Sequence, residues 1–333
     1  MIHRRHFLRG AALAGAAGYL GVSPPRAGAD APPETTRIKV VQFPGICLAP
    51  QYVAEGLLRA EGFTDVRYVP LATGGITDAV ASGEVDLSMS YVANFVEAIA
   101  SGKGIVLVAG VHAGCFELFG TGRIRTIRDL KGRSVAVPRP LAAQHLFVAS
   151  MASYVGLDPA QDITWVRQPR DESMRLLAEG NVDAYLGFPP DPQELRAKKI
   201  GHVIVNSALD RPWSQYFCCL IGVNGEFVRG HPVATKRAIR AILKASSLCA
   251  SEPQRVAQSL ADRGFAQRYD YALQTLNELP SYGRWREYSA EDTVRFYALR
   301  LHEAGLITES PQRIIARGTD WRFVDELKQE LKG

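Results

Sequence analysis

The chain has 333 residues, of which 47% are hydrophobic and 22% charged, and its formal net charge is +5. Arg4, Arg5, Arg9 and Arg26 lie in residues 1–29 with no acid among them, so five less these four leaves +1 for the remainder. A near-neutral body of this length can bury two modest cores, and it lacks the charge excess expected of a nucleic-acid or membrane-surface binder.

The N-terminus reads as an address. His3-Arg4-Arg5-His6-Phe7-Leu8-Arg9 is a paired-arginine head, Gly10 to Val22 is a weakly apolar run, and Ala27-Gly28-Ala29 offers a small-x-small cleavage site. Residues 1–29 resemble a bacterial twin-arginine signal peptide, removed on export to leave a soluble periplasmic protein. The run is too short to span a bilayer, and no cysteine follows it to take a lipid.

Beyond the leader, strands and helices alternate. Ile38–Phe43 reads as a buried strand, Pro50–Glu61 as a helix, Val66–Leu71 as a strand and Ile76–Ala81 as a helix stopped by Gly83. Val85–Met89, Asn94–Ser101 and Gly104–Val111 follow as strand, helix and strand. After the turn-rich Ile127–Gly132, strands are expected at Ser134–Val137, Ile163–Val166, Val182–Gly187, Val203–Asn206 and Tyr216–Asn224. Helices are expected at Gln144–Val155 and Glu172–Ala178. From Pro232 the texture is helical, with Pro in a first turn, a capping box at Ser289-Ala290-Glu291-Asp292 before Val294–Ala304, and a last helix at Trp321–Leu331.

The alternation contains a repeat. ITDAVASGEVDLSMSY (76–91) and SMRLLAEGNVDAYLGF (173–188) lie 97 positions apart. At the same offset Asp65–Val69 falls on Asp162–Val166 and Ile38-Lys39-Val40 on Val135-Ala136-Val137. Two similar α/β lobes with parallel sheets are implied, their ligand loops at the carboxyl ends of the strands.

Catalytic signatures of the G-x-S-x-G, H-E-x-x-H, P-loop and G-x-G-x-x-G types do not occur. Asp86 and Asp183 occupy the same turn in each repeat, so they read as turn caps and not as an acid–base pair. Cys47, Cys115, Cys218, Cys219 and Cys249 are odd in number and irregular in spacing, which excludes a disulfide framework. One bridge is compatible with an oxidising compartment, and the spacing does not select it. His112-Ala113-Gly114-Cys115 supplies two metal-ligand types without a third or fourth, so neither a metal nor a cofactor is expected.

Leu48–Glu55, Ala81-Ser82-Gly83-Glu84-Val85-Asp86, Ile127–Pro138 and Leu177–Ala184, in this order and spacing, resemble the periplasmic solute-binding proteins of ABC importers. The branch is that handling sulfonates, taurine, nitrate and thiamine pyrimidines. The resemblance implies a type II clamshell, with lobe I at 30–118 and 222–333, lobe II at 119–221, and a two-strand hinge near Ala113–Gly122 and Tyr216–Val223. It implies a monomer that closes on a small ligand and docks on an inner-membrane permease, with no nucleic acid involved.

On the first lobe the ligand contacts so implied are Gln42, Phe43, Pro44, Gly45, Thr73, Gly74, Gly75, Ser90, Tyr91 and His112. On the second they are Arg139, Leu141, Ala143, Gln144, Phe188 and Tyr216. Relatives carry a Gly-Ser-type loop where this chain has Pro140-Leu141-Ala142-Ala143, which removes hydroxyls suited to sulfonate or nitrate. Phe43, Tyr91, Phe188 and Tyr216 suggest an aromatic slot for a flat ligand. Two alternatives remain: a thiamine-pyrimidine synthase on the same fold, and a binder that reports to a membrane sensor. Against the synthase, no histidine lies between His6 and His112, and Phe217-Cys218-Cys219 is a fragment of that group's cysteine run.

Overall fold

Ten strands build two five-stranded sheets in the computed structural model, which describes residues 31–71 and 75–331. Residues 1–30, which hold the expected leader, and Thr73 and Gly74 lie outside the described residues. In chain order the strands are β1 (Arg37–Gln42), β2 (Asp65–Pro70), β3 (Leu87–Tyr91), β4 (Ile105–Ala113) and β5 (Glu117–Gly120). They continue as β6 (Arg133–Val137), β7 (Ile163–Arg167), β8 (Ala184–Gly187), β9 (His202–Asn206) and β10 (Phe217–Asn224).

The first sheet runs β2-β1-β3-β10-β4 and the second β7-β6-β8-β5-β9. In each, four strands run in one direction and the fifth is inserted antiparallel: β10 between β3 and β4, and β5 between β8 and β9. The inserted strand comes from the other side of a crossing, so the two lobes exchange one strand each. This is the expected two-lobe clamshell with a two-strand hinge.

The repeat is real, with one correction. Val40 faces Leu87 and Val135 faces Ala184, so β3 maps onto β8 at an offset of 97 but β1 onto β6 at 95. Side chains alternate along a strand, so a slip of two residues leaves the buried face unchanged. The same reason explains why β3 covers Leu87–Tyr91 and not Val85–Met89. Gly83 and Gly180 end the helix of each repeat at φ 76° and 71°, where a side chain is disfavoured.

Both repeat aspartates bind strand backbone. Asp86 Oδ2 accepts from Lys39 N at 2.7 Å, and Asp183 Oδ2 accepts from Ser134 N at 3.0 Å. Each therefore ties the start of its strand to the neighbouring strand, 47 and 49 positions away, where the sequence suggests a cap on the local turn.

The expected 50–61 helix is broken at Ala54 into Ala49–Val53 and Glu55–Ala60. Helices at Asp191–Ala197, Pro253–Asp262, Tyr269–Glu278 and Pro311–Gly318 go beyond the sequence reading. The longest, Pro232–Ser251, starts at proline and buries Ala238, Ile239, Ile242 and Leu243 completely. Each of the three larger side chains stabilises by about 1.5–3 kcal/mol relative to exposure. Among the described residues no helix is long and apolar enough to cross a membrane.

The crossings are residues 114–116 and 207–216, the second lying upstream of the expected Tyr216–Val223. Ser207 Oγ accepts from Cys115 N at 3.1 Å and Phe116 N at 2.9 Å, joining the two. Gly114 adopts φ 66°, and a Cβ there would lie 2.3 Å from Ala208 Cα, so the crossings touch backbone to backbone.

Candidate functional site

The loops after the strands meet across the lobes. Tyr52 sets the first: its hydroxyl donates to Phe43 O at 2.6 Å and accepts from Phe43 N at 3.0 Å. From this fixed turn Ile46 N donates to Pro189 O of the other lobe at 3.3 Å, and the Phe43 and Phe188 rings lie 6.2 Å apart. Gln51 supports the floor, donating to Val41 O at 2.9 Å and accepting from Met89 N at 2.7 Å, which ties β1 to β3.

A second meeting lies nearer the rim. Asn94 Nδ2 donates to Leu141 O at 3.0 Å, and Leu141 sits at φ 59°, a left-handed conformation that costs a non-glycine residue about 1–2 kcal/mol. Such strain persists only where surrounding contacts enforce it, and it collects at ligand clamps. The exposed Arg139 reaches across to Gly75, where an added Cβ would lie 3.1 Å from its Nη2. Gly75 N donates to Asp78 Oδ2 at 3.1 Å, so that helix opening is capped by its own acid and not left open for an anion.

Buried aromatic rings pack together between these loops. Tyr91 is 4% exposed and packs on Phe116 at 5.0 Å, Phe147 at 5.2 Å and Tyr297 at 5.5 Å. Its hydroxyl is buried and makes no well-formed hydrogen bond, with the Tyr297 hydroxyl as a looser polar neighbour, and burial pushes the phenol well above its ordinary pKa. A buried unmade hydrogen bond costs about 1–3 kcal/mol, so the group is suited to a ligand atom or a water. Ser90 and Gln144 are buried, Ala143 opens the helix Ala143–Tyr154, and Gln42 ends β1. Phe116 and Phe147 were not singled out in the sequence, where nothing distinguishes them from core. Tyr216 stacks on Phe296 at 4.0 Å and connects to Tyr91 through intervening rings, Phe296 and Tyr297 among them.

His112 belongs to a different group. It is fully buried, with Nδ1 3.0 Å from Gly114 O and Nε2 without a partner. Beside it the sulfurs of Cys47, Cys115 and Cys219 lie within 4.8 Å of one another, and Cys218 Sγ is 3.1 Å from Cys115 Sγ. All five cysteines are free thiols. Burial raises the Cys115 and Cys218 thiols, while hydrogen bonds from Cys115, Cys218 and Cys47 hold Cys219 low. The donors missing from His112-Ala113-Gly114-Cys115 thus arrive from the β1 loop and from β10. The available signal was that Cys115 and Cys219 both fall in the expected hinge.

A cavity of about 20 Å³, room for one water, lies by the crossings between Cys115, Glu117, Pro189 and Glu278.

Residues 48–256 match the model of the NMT1/THI5 like family. The Saccharomyces cerevisiae 4-amino-5-hydroxymethyl-2-methylpyrimidine phosphate synthase THI12 is 22% identical over 214 residues, covering 60% of this chain and 62% of that protein. The chain spans less than two thirds of the length of the curated relatives it matches. The periplasmic nitrate-binding protein NrtA from Synechocystis PCC 6803 superposes with a TM-score of 0.73 at 15% identity, over 91% of this chain and 90% of that one. The periplasmic aliphatic sulphonate binding protein SsuA from Escherichia coli gives 0.65 at 16% identity, over 84% and 90%. At these identities the likeness shows the fold, a type II periplasmic-binding-protein clamshell. With the family model matching well over half its length, the chain belongs to the NMT1/THI5-like family.

Proposed function

We propose that the protein captures a small organic solute between its lobes in the periplasm and delivers it to an ABC-type permease in the inner membrane. The observation that carries this reading is the Tyr91 hydroxyl, buried without a well-formed hydrogen bond among aromatic rings where loops of both lobes meet. Mostly apolar walls with few oriented polar groups are what small-molecule sites offer. The lobes touch through Ile46–Pro189 and Asn94–Leu141, so a solute enters by their opening and holds them shut by contacting both.

The slot favours a flat or aromatic solute, a pyrimidine or an aromatic or sulfonate-bearing molecule, with Arg139 at the rim for an anionic end. Leu141 and Ala143 stand where hydroxyls would hold an oxyanion, which argues against nitrate and leaves any sulfonate end to Arg139. The protein works as a monomer and without catalysis; the repeat carboxylates Asp86 and Asp183 are each committed to strand backbone in their own lobe. Export by the twin-arginine machinery and loss of residues 1–29 complete the reading.

A thermal-shift screen of sulfonates, pyrimidines, aromatic acids and nitrate tests it. A ligand of the native state raises the melting temperature by mass action. One class should stabilise strongly without being consumed. Turnover of the hit, or no shift with any class, contradicts the proposal.

A further inference from the structure

The cysteine cluster at the hinge has the composition and burial of a closed metal centre. Cys47 lies in the short helical turn Ile46–Leu48 after β1, Cys115 in the first crossing and Cys219 in β10. Their sulfurs are mutually within 4.8 Å, and each residue is at most 6% exposed. Thiolates about 2.3 Å from one tetrahedral ion sit nearly 4 Å apart, so this spacing needs only small adjustment.

His112 supplies an independent observation. With Nδ1 3.0 Å from Gly114 O, the ring proton belongs on Nδ1 and the lone pair on Nε2. That is the backbone contact which fixes the tautomer of a metal-ligating histidine. Nε2 is buried and unpartnered, and His112 pairs with Cys219 across β4 and β10. The ring stands outside the 4.8 Å sulfur group, so it has to swing inward to complete a shared ion's coordination. A buried ring nitrogen left without a hydrogen bond is unfavourable unless something unseen accepts its lone pair.

We infer that Cys47, Cys115 and Cys219, with His112 Nε2 as the fourth ligand, form a buried zinc-class site that pins both hinge crossings to the first lobe. A Cys3His set is a structural zinc set, closed to solvent and tetrahedral. On binding, Cys47, Cys115 and Cys219 end as thiolates and the imidazole as neutral, three protons leave to solvent, and the centre carries one net negative charge. A monovalent copper ion on the same ligands would carry two, a larger desolvation cost in a site this buried. Cys218 lies 3.1 Å from Cys115, closer than two ligands of one ion stand, and is assigned no metal bond.

The test is metal analysis of the full chain purified folded, followed by chelation and titration with cobalt(II) under reducing conditions. One zinc per chain is expected, with the visible bands and thiolate charge transfer of tetrahedral cobalt after exchange. Cys218→Ser should keep both. Cys219→Ser should weaken the metal by more than tenfold, and His112→Gln should shift the cobalt bands. Because a ligand variant can fail to fold, wild-type protein also serves: three protons released per ion are expected by calorimetry in buffers of different ionisation enthalpy. No metal uptake by the reduced wild type, copper bound in preference to zinc, or a native Cys115–Cys218 disulfide found by mass spectrometry would overturn the assignment.

Discussion

Arg196 of the second lobe donates through Nη2 to both carboxylate oxygens of Glu278 in the helix Tyr269–Glu278, at 2.7 and 2.6 Å. Its other arm pairs with Glu117 on β5, and Gln193 adds a bond to Glu278 at 2.9 Å. Glu117 and Arg196 share the second lobe, whereas the Tyr269–Glu278 helix packs with Pro253–Asp262 on the first. The Glu278 contacts therefore latch the lobes on the hinge side of the cleft.

Glu278→Ala should release that latch while leaving Arg196 its partner Glu117. The pair is partly exposed, which limits its worth to about 0.5–1 kcal/mol. Closed protein then becomes less populated, and ligand affinity should fall by roughly two- to fivefold with the melting temperature of the apo form little changed. Calorimetric titration of the screened ligand measures this.

Tyr91→Phe keeps the ring contacts with Phe116, Phe147 and Tyr297 and removes only the hydroxyl, which makes no well-formed hydrogen bond. The apo protein should gain about 1 kcal/mol in denaturant unfolding, while ligand affinity falls. Equal affinity in the two proteins would show that no ligand atom bonds this hydroxyl. Tyr91→Ala is the poorer variant, since truncating a buried aromatic costs about 3–5 kcal/mol of stability.

The two repeat aspartates should respond oppositely to acid. Burial opposes ionisation of Asp183, but hydrogen bonds from Ser134 and the charge of Arg123 outweigh it and lower its pKa below the ordinary 3.8. Its stabilisation is thus present above that value and is lost as pH falls through the lower folded pKa. Burial dominates at Asp86 and raises its pKa, so its contribution is full below 3.8 and is lost as pH rises through the higher folded value. Asp183→Asn should cost about 1–3 kcal/mol at pH 7, and the loss should shrink in acid. Asp86→Asn should cost less at pH 7 than at pH 4. Unfolding curves across pH 3–7 check both signs.

Gly114→Ala places a methyl group against Ala208 backbone at a residue with φ 66°. Left-handed strain and overlap together should cost about 2–4 kcal/mol, far above a surface change. The midpoint of denaturant unfolding reports it, with Gly122→Ala, which meets nothing within 4 Å, as the control.

The lobes were legible because Gly83 and Gly180 mark the same turn in each, and the apolar strands carry a period of two. That period also limited the reading: β1 onto β6 and the start of β3 were each displaced by two residues, a slip that hydrophobic pattern does not register. Phe43, Tyr91, Arg139 and Phe188 could be proposed because they follow strands. Phe116 and Phe147, which pack on Tyr91, could not, since their sequence environment is that of any buried core aromatic. The convergence of Cys47, Cys115 and Cys219 depends on three segments separated by 68 and 104 positions. Only the pairing of β4 with β10 and the β1 loop beside them bring these together.

Hydrogen exchange of the apo and ligand-saturated protein tests the central claim most directly. A solute held between the lobes should slow exchange together in the 43–46 and 91–94 segments of the first lobe and the 139–145 and 188–191 segments of the second. Protection confined to one lobe, or spread away from these loops, would contradict capture between the lobes.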